Sequence, residues 1–216
     1  MFKPNLSQTS KLGCKSWSLQ AKETCPGSVG PDGDLVDACK GCYATQGAYN
    51  FPGTKAVRAT NKEEWQREDW VPSMVAVLKN QSHFRWFDSG DMYSLQLAYK
   101  IYQVMKLTPW CKHWLPTRMH KFSKYRFILW EMSDLPNVMV RYSSDSITGT
   151  FTEGVHGSTI VESATVVPTG VTLCHAPTNG GKCGPCRACW DKTVPVVAYV
   201  AHQKAIKKLY MMKKAA

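Results

Sequence analysis

The stretch HFRWFDSGDMYSLQLAYKIYQVMKLTPWCKHWLPT, His83–Thr117, decides the fold. From His83 to Asp88, large apolar side chains are interrupted only by Arg85. The run stops at Gly90, which predicts a strand ending in a polar loop. From Met92 to Lys106, the residues Leu95, Ala98, Tyr102 and Met105 share one helical face. PWCKHWLPT, ending at Thr117, then reads as a second strand.

The same alternation extends outward. TNKEEWQREDW offers Thr60 or Asn61 as a helix cap, and the helix continues through Pro72 toward Asn80. Downstream, Lys121–Met132 repeats helical spacing at Phe122, Tyr125, Leu129 and Met132, and Asn137–Ser146 reads as a strand. Strand, helix, strand, helix, strand implies an α/β fold with parallel strands and right-handed crossovers. Sites in such folds gather at the carboxyl ends of strands, here DSGD, PTR and SSDS. Trp65, Trp86 and Trp130 are expected in the core. After Ser146 the chain is strand-prone and Gly-rich, with another apolar run from Val194. It finishes in KAIKKLYMMKKAA, whose five lysines form either a solvated helix or a contact with an anionic surface.

One domain is expected over residues 1–216. Residues 1–50 supply a lead-in strand near Ser16–Ala21 and a loop, 51–150 the β/α core, and 151–216 a strand-rich, cysteine-rich segment with the basic tail. No run of eighteen apolar residues occurs, so no membrane span is expected. The basic start has no apolar h-region, so the expected location is the cytoplasm. Thiols stay reduced there, and the odd total of 9 cysteines excludes complete pairing. With 27 Lys plus Arg against 16 Asp plus Glu, the net charge of +11 favours anionic partners such as nucleic acid. Phosphate-loop, nucleophile-elbow and zinc-protease motifs are absent.

Seven thiols are spaced as metal ligands. Cys25, Cys39 and Cys42 lie in a Gly-, Pro- and Asp-rich loop; Cys174, Cys183, Cys186 and Cys189 lie near the other end. Two cysteines separated by two residues can reach one metal from a single tight turn, as Cys39–Cys42 and the run Cys183–Cys186–Cys189 do. That triple run carries one thiol more than a zinc knuckle needs, which favours iron and sulfur. Two arrangements stay open. Cys25, Cys39 and Cys42 hold one [4Fe–4S] cluster with an open iron and the other four cysteines a second cluster, or one cluster draws on both segments. Zinc is the alternative metal. Cys14, between Lys11 and Lys15, and Cys111, beside a strand, are read as bystanders.

SWSLQAKETCPGS, CKGCYATQGAY, RWFDSGD and CGPCRACW together resemble the gene-product-88-like proteins of bacteriophages. The resemblance reaches both ends and the middle of the chain and implies a phage protein working in the host cell cytoplasm. A weaker similarity is to the radical SAM enzymes, which are full or partial β/α barrels. It implies a partial or distorted β/α barrel, with SLQA as first strand and Cys25, Cys39 and Cys42 as ligands of an open cluster. It also implies S-adenosylmethionine contacts at Ser89, Gly90 and Asp91, at Arg141 and at Asp145. The spacing departs from that family: its motif is C-x3-C-x2-C, whereas thirteen residues separate Cys25 from Cys39 here.

Three functions follow as expectations. The first is an iron–sulfur protein on a radical-SAM-like scaffold that binds S-adenosylmethionine, with radical chemistry as its enzymatic form. The second is a non-catalytic cluster protein that binds nucleic acid or a host protein. The third is a zinc-stapled structural protein.

Overall fold

The computed structural model describes residues 2–215. Its frame is one eight-stranded sheet. In chain order the elements are β1 (Ser7–Gln8), β2 (Lys15–Trp17), α1 (Asp37–Lys40), α2 (Pro52–Glu64), α3 (Trp70–Leu78), β3 (His83–Trp86), α4 (Leu95–Leu107), β4 (Lys112–Thr117) and α5 (Arg126–Asp134). Then come β5 (Val138–Ser143), β6 (Gly157–Val161), β7 (Thr172–Leu173), β8 (Val196–Val200) and α6 (Lys204–Ala215). Strand order is β1-β2-β3-β4-β5-β6-β8-β7. Among the described strands, β1 pairs antiparallel with β2 and every other pairing is parallel. The sheet is open, with β1 at one edge and β7 at the other.

Strands β2 to β6 follow one another in a single direction across the sheet. Right-handed crossovers therefore lay α2 to α5 on the same face. Alternation sends Trp17, Phe84, Trp86, Leu115, Val138 and Val140 to that face, where they join residues of α3, α4 and α5 in the main core. The intervening residues Ser16, Arg85, Trp114 and Met139 stand in register across β2–β5 and face the other way. At the far edge the direction reverses, because β8 inserts between β6 and β7. A right-handed crossover from β7 back to β8 must run over this second face. That crossover is the cysteine-rich segment. Its turn Ala188–Trp190 touches β4 and β5, and Trp190 packs with Leu12, Trp114 and Met139.

Several elements differ from expectation. α2 opens at Pro52, whose fixed φ suits a first helical position, so Thr60 and Asn61 lie inside the helix. Asn61 is buried and donates to the carbonyls of Asn5 and Ser18. In α4 the buried face is carried by Leu97, Ala98, Ile101, Val104 and Met105, with Leu95 and Tyr102 at its margin. Trp65 and Trp86 are core residues, but Trp130 is 61% exposed beside Phe127 on the outer face of α5. The lead-in strand is short, Lys15–Trp17. The basic tail is α6, which buries Ile206 and Tyr210 against Ala38, Ile147 and Ala201. Two of its lysines pair with acids of the body, Lys213 with Asp37 and Lys214 with Glu162, each at 2.7 Å. Among the described residues, no helix is long and apolar enough to cross a membrane.

Candidate metal centre

β3 ends at Trp86 because Phe87 takes φ +56°, a left-handed conformation that is costly for a bulky residue. Its N–H donates to the Trp17 carbonyl at 2.8 Å, and its side chain is buried, which together hold the bend. The chain then turns through Asp88-Ser89-Gly90-Asp91. Asp88 accepts from the Ser18 hydroxyl, and Ser89 Oγ donates to the Leu19 carbonyl at 2.6 Å. Gly90 has φ +79°, and a Cβ there would lie 2.7 Å from both Leu19 Cβ and Thr24 Oγ1. Glycine is thus required twice, for conformation and for space. Asp91 is buried and accepts from Thr117 Oγ1 (2.8 Å), the Arg118 N–H (2.9 Å) and its neighbour's Met92 N–H (2.8 Å). Burial raises its carboxyl above the usual range, against the pull of those donors.

This turn anchors the loop that bears the first three thiols. The Asp91 N–H donates to the Thr24 carbonyl, next to Cys25. Gly27 packs on Arg118 so closely that a Cβ would meet Arg118 Cβ at 2.5 Å. Lys121 Nζ reaches the carbonyls of Gly27 and Val29 and the Asp145 carboxylate. Further along, the Ala38 N–H donates to the Asp145 carbonyl at 3.0 Å, and Tyr43 Oη to the Asp88 carbonyl at 2.7 Å. Residues 25–43 are therefore tied to the carboxyl ends of β3, β4 and β5. Burial, then the negative charge of Asp91, pushes the Cys25 thiol up to about 12, and the Cys39 and Cys42 thiols add to the shift. Burial also raises Cys39, with Arg118 and Lys121 opposing. All nine cysteines are free thiols. Among the described residues, no three His, Cys, Asp or Glu side chains are grouped so as to hold a metal ion.

Arg141 sits at the centre of the second cysteine segment. It is fully buried on β5 and donates to six carbonyl oxygens, those of Gly157, Ala188, Cys189, Asp191, Val194 and Pro195. The guanidinium thereby fixes the path of residues 188–195. Asp145, by contrast, is at the surface, paired with Arg118 at 3.2 Å and Lys121 at 2.7 Å. It lines a cleft of about 270 Å³ with His120, Ser143, Ser144, Ser146, Thr150 and Thr152. The His120 ring stacks on Tyr142 at 4.5 Å.

Residues 3–173 match the model of the family described as Gene product 88. The chain belongs to that family. No curated protein and no solved structure matches it. The matched span of this Gene product 88 protein includes Cys25, Cys39, Cys42, the Ser89–Asp91 turn, Arg141 and Asp145, and it ends one residue before Cys174.

Of the residues singled out in the sequence, Ser89, Gly90, Asp91 and Arg141 are internal scaffold with engaged polar groups, and Asp145 alone lines a cleft. Two residues escaped the sequence reading. Arg85 lies over the Trp114 ring at 4.6 Å and donates to Tyr43 Oη at 3.1 Å. Tyr199 Oη lies 3.3 Å from Cys189 Sγ. A lone arginine in an apolar strand was the only available signal for the first, and none existed for the second. Cys14, read as a bystander, packs with Cys183 and Cys189 against Leu12, Trp114, Met139 and Trp190.

Proposed function

We propose that this Gene product 88 protein is an iron–sulfur protein. In this reading Cys25, Cys39 and Cys42 hold one [4Fe–4S] cluster, and a second set drawn from Cys174, Cys183, Cys186 and Cys189 holds another. The observation that carries it is the tethering of the Cys25–Cys42 loop to the strand ends by Gly27, Ala38 and Tyr43. That tethering holds the loop bearing three soft thiol donors at the carboxyl ends of the strands, the region where α/β folds keep their sites. The donor chemistry fits iron–sulfur or zinc. The surplus of thiols over a tetrahedral zinc site favours the former.

A four-iron cluster supplies one-electron transfer, and with three protein thiolates it keeps one iron open for a ligand such as S-adenosylmethionine. The chain's own part is orientation and shielding. Arg118 and Lys121 place positive charge beside Cys39, which offsets the negative charge of thiolates there. The hydroxyl-lined cleft at Asp145 borders the same loop, through the Ala38 N–H on the Asp145 carbonyl, and suits a ribose. A partly curled β/α scaffold resembling the radical SAM barrel is the matching structural reading. The one-directional run from β2 to β6 supports it.

Anaerobic purification with iron and sulfide quantitation, then EPR of the reduced protein with and without S-adenosylmethionine, tests both layers. About four irons or more per chain supports the cluster reading. A spectrum perturbed by S-adenosylmethionine supports the open iron, and an unperturbed one leaves a cluster with no such ligand. Zinc in place of iron after iron-replete anaerobic growth would overturn the proposal.

The net charge of +11 favours a second reading, a cluster protein that binds nucleic acid in the host cytoplasm without catalysis. It expects binding to duplex or single-stranded DNA that weakens steeply with salt, and no effect of S-adenosylmethionine.

A further inference from the structure

On the second face of the sheet, three adjacent strands present three buried donors with nothing to bond. Ser16 on β2, Arg85 on β3 and Trp114 on β4 are register partners, so their side chains project side by side. Ser16 Oγ, Arg85 Nε and Trp114 Nε1 have no hydrogen-bond partner among the described residues. Ser16 is fully buried and Trp114 is 4% exposed, so bulk water does not satisfy them. Leaving one such group unpaired costs about 1–3 kcal/mol, so a row of three points to something that occupies the space.

The same space is bordered by thiols. Cys14 lies two residues before Ser16, and it packs with Cys183 and Cys189 on the cluster that contains Trp114. The Cys183 N–H donates to the Lys11 carbonyl at 2.8 Å, which ties the second cysteine segment to the chain just before Cys14. The charge of Arg85 acts on both Cys14 and Cys189, Cys174 acts on Cys183 and Cys189, and Cys186 acts on Cys183. Of these thiols Cys186 alone is exposed.

We propose that the second face of β2, β3 and β4 is the cradle of the second cluster, that Cys14 completes its ligand set with Cys174, Cys183 and Cys189, and that Ser16, Arg85 and Trp114 donate hydrogen bonds to its sulfur atoms. This deepens the iron–sulfur reading and rests on it. A four-iron cluster with four thiolates is anionic, and a buried anion needs a cation and donors around it. Arg85 is permanently charged and supplies the cation. Donors and positive charge near cluster sulfur favour the more negative, reduced state and so raise the reduction potential. Cys186 is outside the set.

The test uses the full chain, reconstituted anaerobically, as wild type, Cys14→Ser, Cys186→Ser, Arg85→Gln and Arg85→Lys. Iron and sulfide per chain are measured together with EPR-monitored redox titration. Cys14→Ser is expected to lose about half the iron, as removal of one of two clusters demands, while Cys186→Ser keeps it all. Arg85→Gln is expected to keep its iron but shift one potential to more negative values, and Arg85→Lys to recover part of that shift. If Cys14→Ser fails to fold by circular dichroism, the Arg85 pair decides alone. A wild type without iron takes down this inference together with the iron–sulfur reading. A wild type with iron, beside a Cys14→Ser that keeps it or an Arg85→Gln with unmoved potentials, overturns the cradle and leaves that reading standing.

Discussion

Gly41 and Ile206 meet where the Cys39–Cys42 turn lies under the start of α6. A Cβ on Gly41 would stand 2.6 Å from Ile206 Cγ1 and 3.2 Å from the Ile206 nitrogen. The C-terminal helix therefore covers the first thiol loop by direct packing on its glycine.

Gly41→Ala is expected to lift the first turn of α6 and cost about 1–3 kcal/mol, as overpacking does. Faster trypsin cleavage within Lys204–Ala215 and a lowered urea midpoint would report it. Ile206→Ala in the same chain frees the side-chain space, and the double variant should be less sensitive to trypsin than Gly41→Ala alone. A single variant as resistant as the wild type would show that the helix does not bear on the turn.

Arg141→Met removes a guanidinium from six carbonyl oxygens at once. The loss should reach about 3 kcal/mol or more, because several buried acceptors are orphaned together. Arg141→Lys keeps the charge but has fewer donors and no planar fork, so it should recover only part. Denaturation midpoints of the three proteins rank them, and equal midpoints would refute the hub.

His113 gives a pH signature. It accepts from Trp86 Nε1 at 3.2 Å on Nδ1, so its Nε2–H faces Thr108 Oγ1 at 2.8 Å, and that hydroxyl donates to the Val104 carbonyl. The neutral ring is fully bonded, and burial pushes its pKa down to about 3. In the unfolded chain the value is about 6.5. Between these two values the unfolded chain binds the extra proton, so stability is present above about 6.5 and falls as pH drops below it. From neutral pH to about pH 5 this one residue should remove about 2 kcal/mol. Urea unfolding of wild type and His113→Gln at both pH values checks it; an equal pH dependence in the two proteins would count against it.

Trp130→Ser should leave stability within about 0.5 kcal/mol, because the ring is exposed, whereas Trp86→Ala should cost about 3–5 kcal/mol. Thermal melts of the two variants separate surface from core tryptophan.

The β/α alternation was legible because strands of the core repeat every second residue and helices every third or fourth. Phe122, Tyr125, Leu129 and Met132 do lie inward on or beside α5. Trp130 misled because hydrophobicity alone gives no direction; it lies about 100° around the helix from buried Leu129, on the exposed face it shares with Phe127. The cysteine loops were legible as spacings, but their neighbours were not. Arg118 beside Gly27, Ile206 beside Gly41 and Arg141 beneath residues 188–195 are contacts across long chain separations, and no local pattern encodes them. Cys14 is the sharpest case. Its flanking lysines made it read as a bystander, yet the reversed crossover from β7 to β8 brings Cys183 and Cys189 down onto it.

That reversal also dictates an order of assembly. Among the described residues β7 has β8 as its only sheet neighbour, and β8 follows it by more than twenty residues. A folding chain can zip β2 through β6 progressively, each strand adding to an edge already formed, but β7 must wait with no template until its successor docks. Parallel pairings that close long loops are the slow ones. The far edge and the thiols looped between those two strands should therefore be the last part of the molecule to acquire protection in a pulse-labelled hydrogen-exchange experiment, well after the aromatic core is shut.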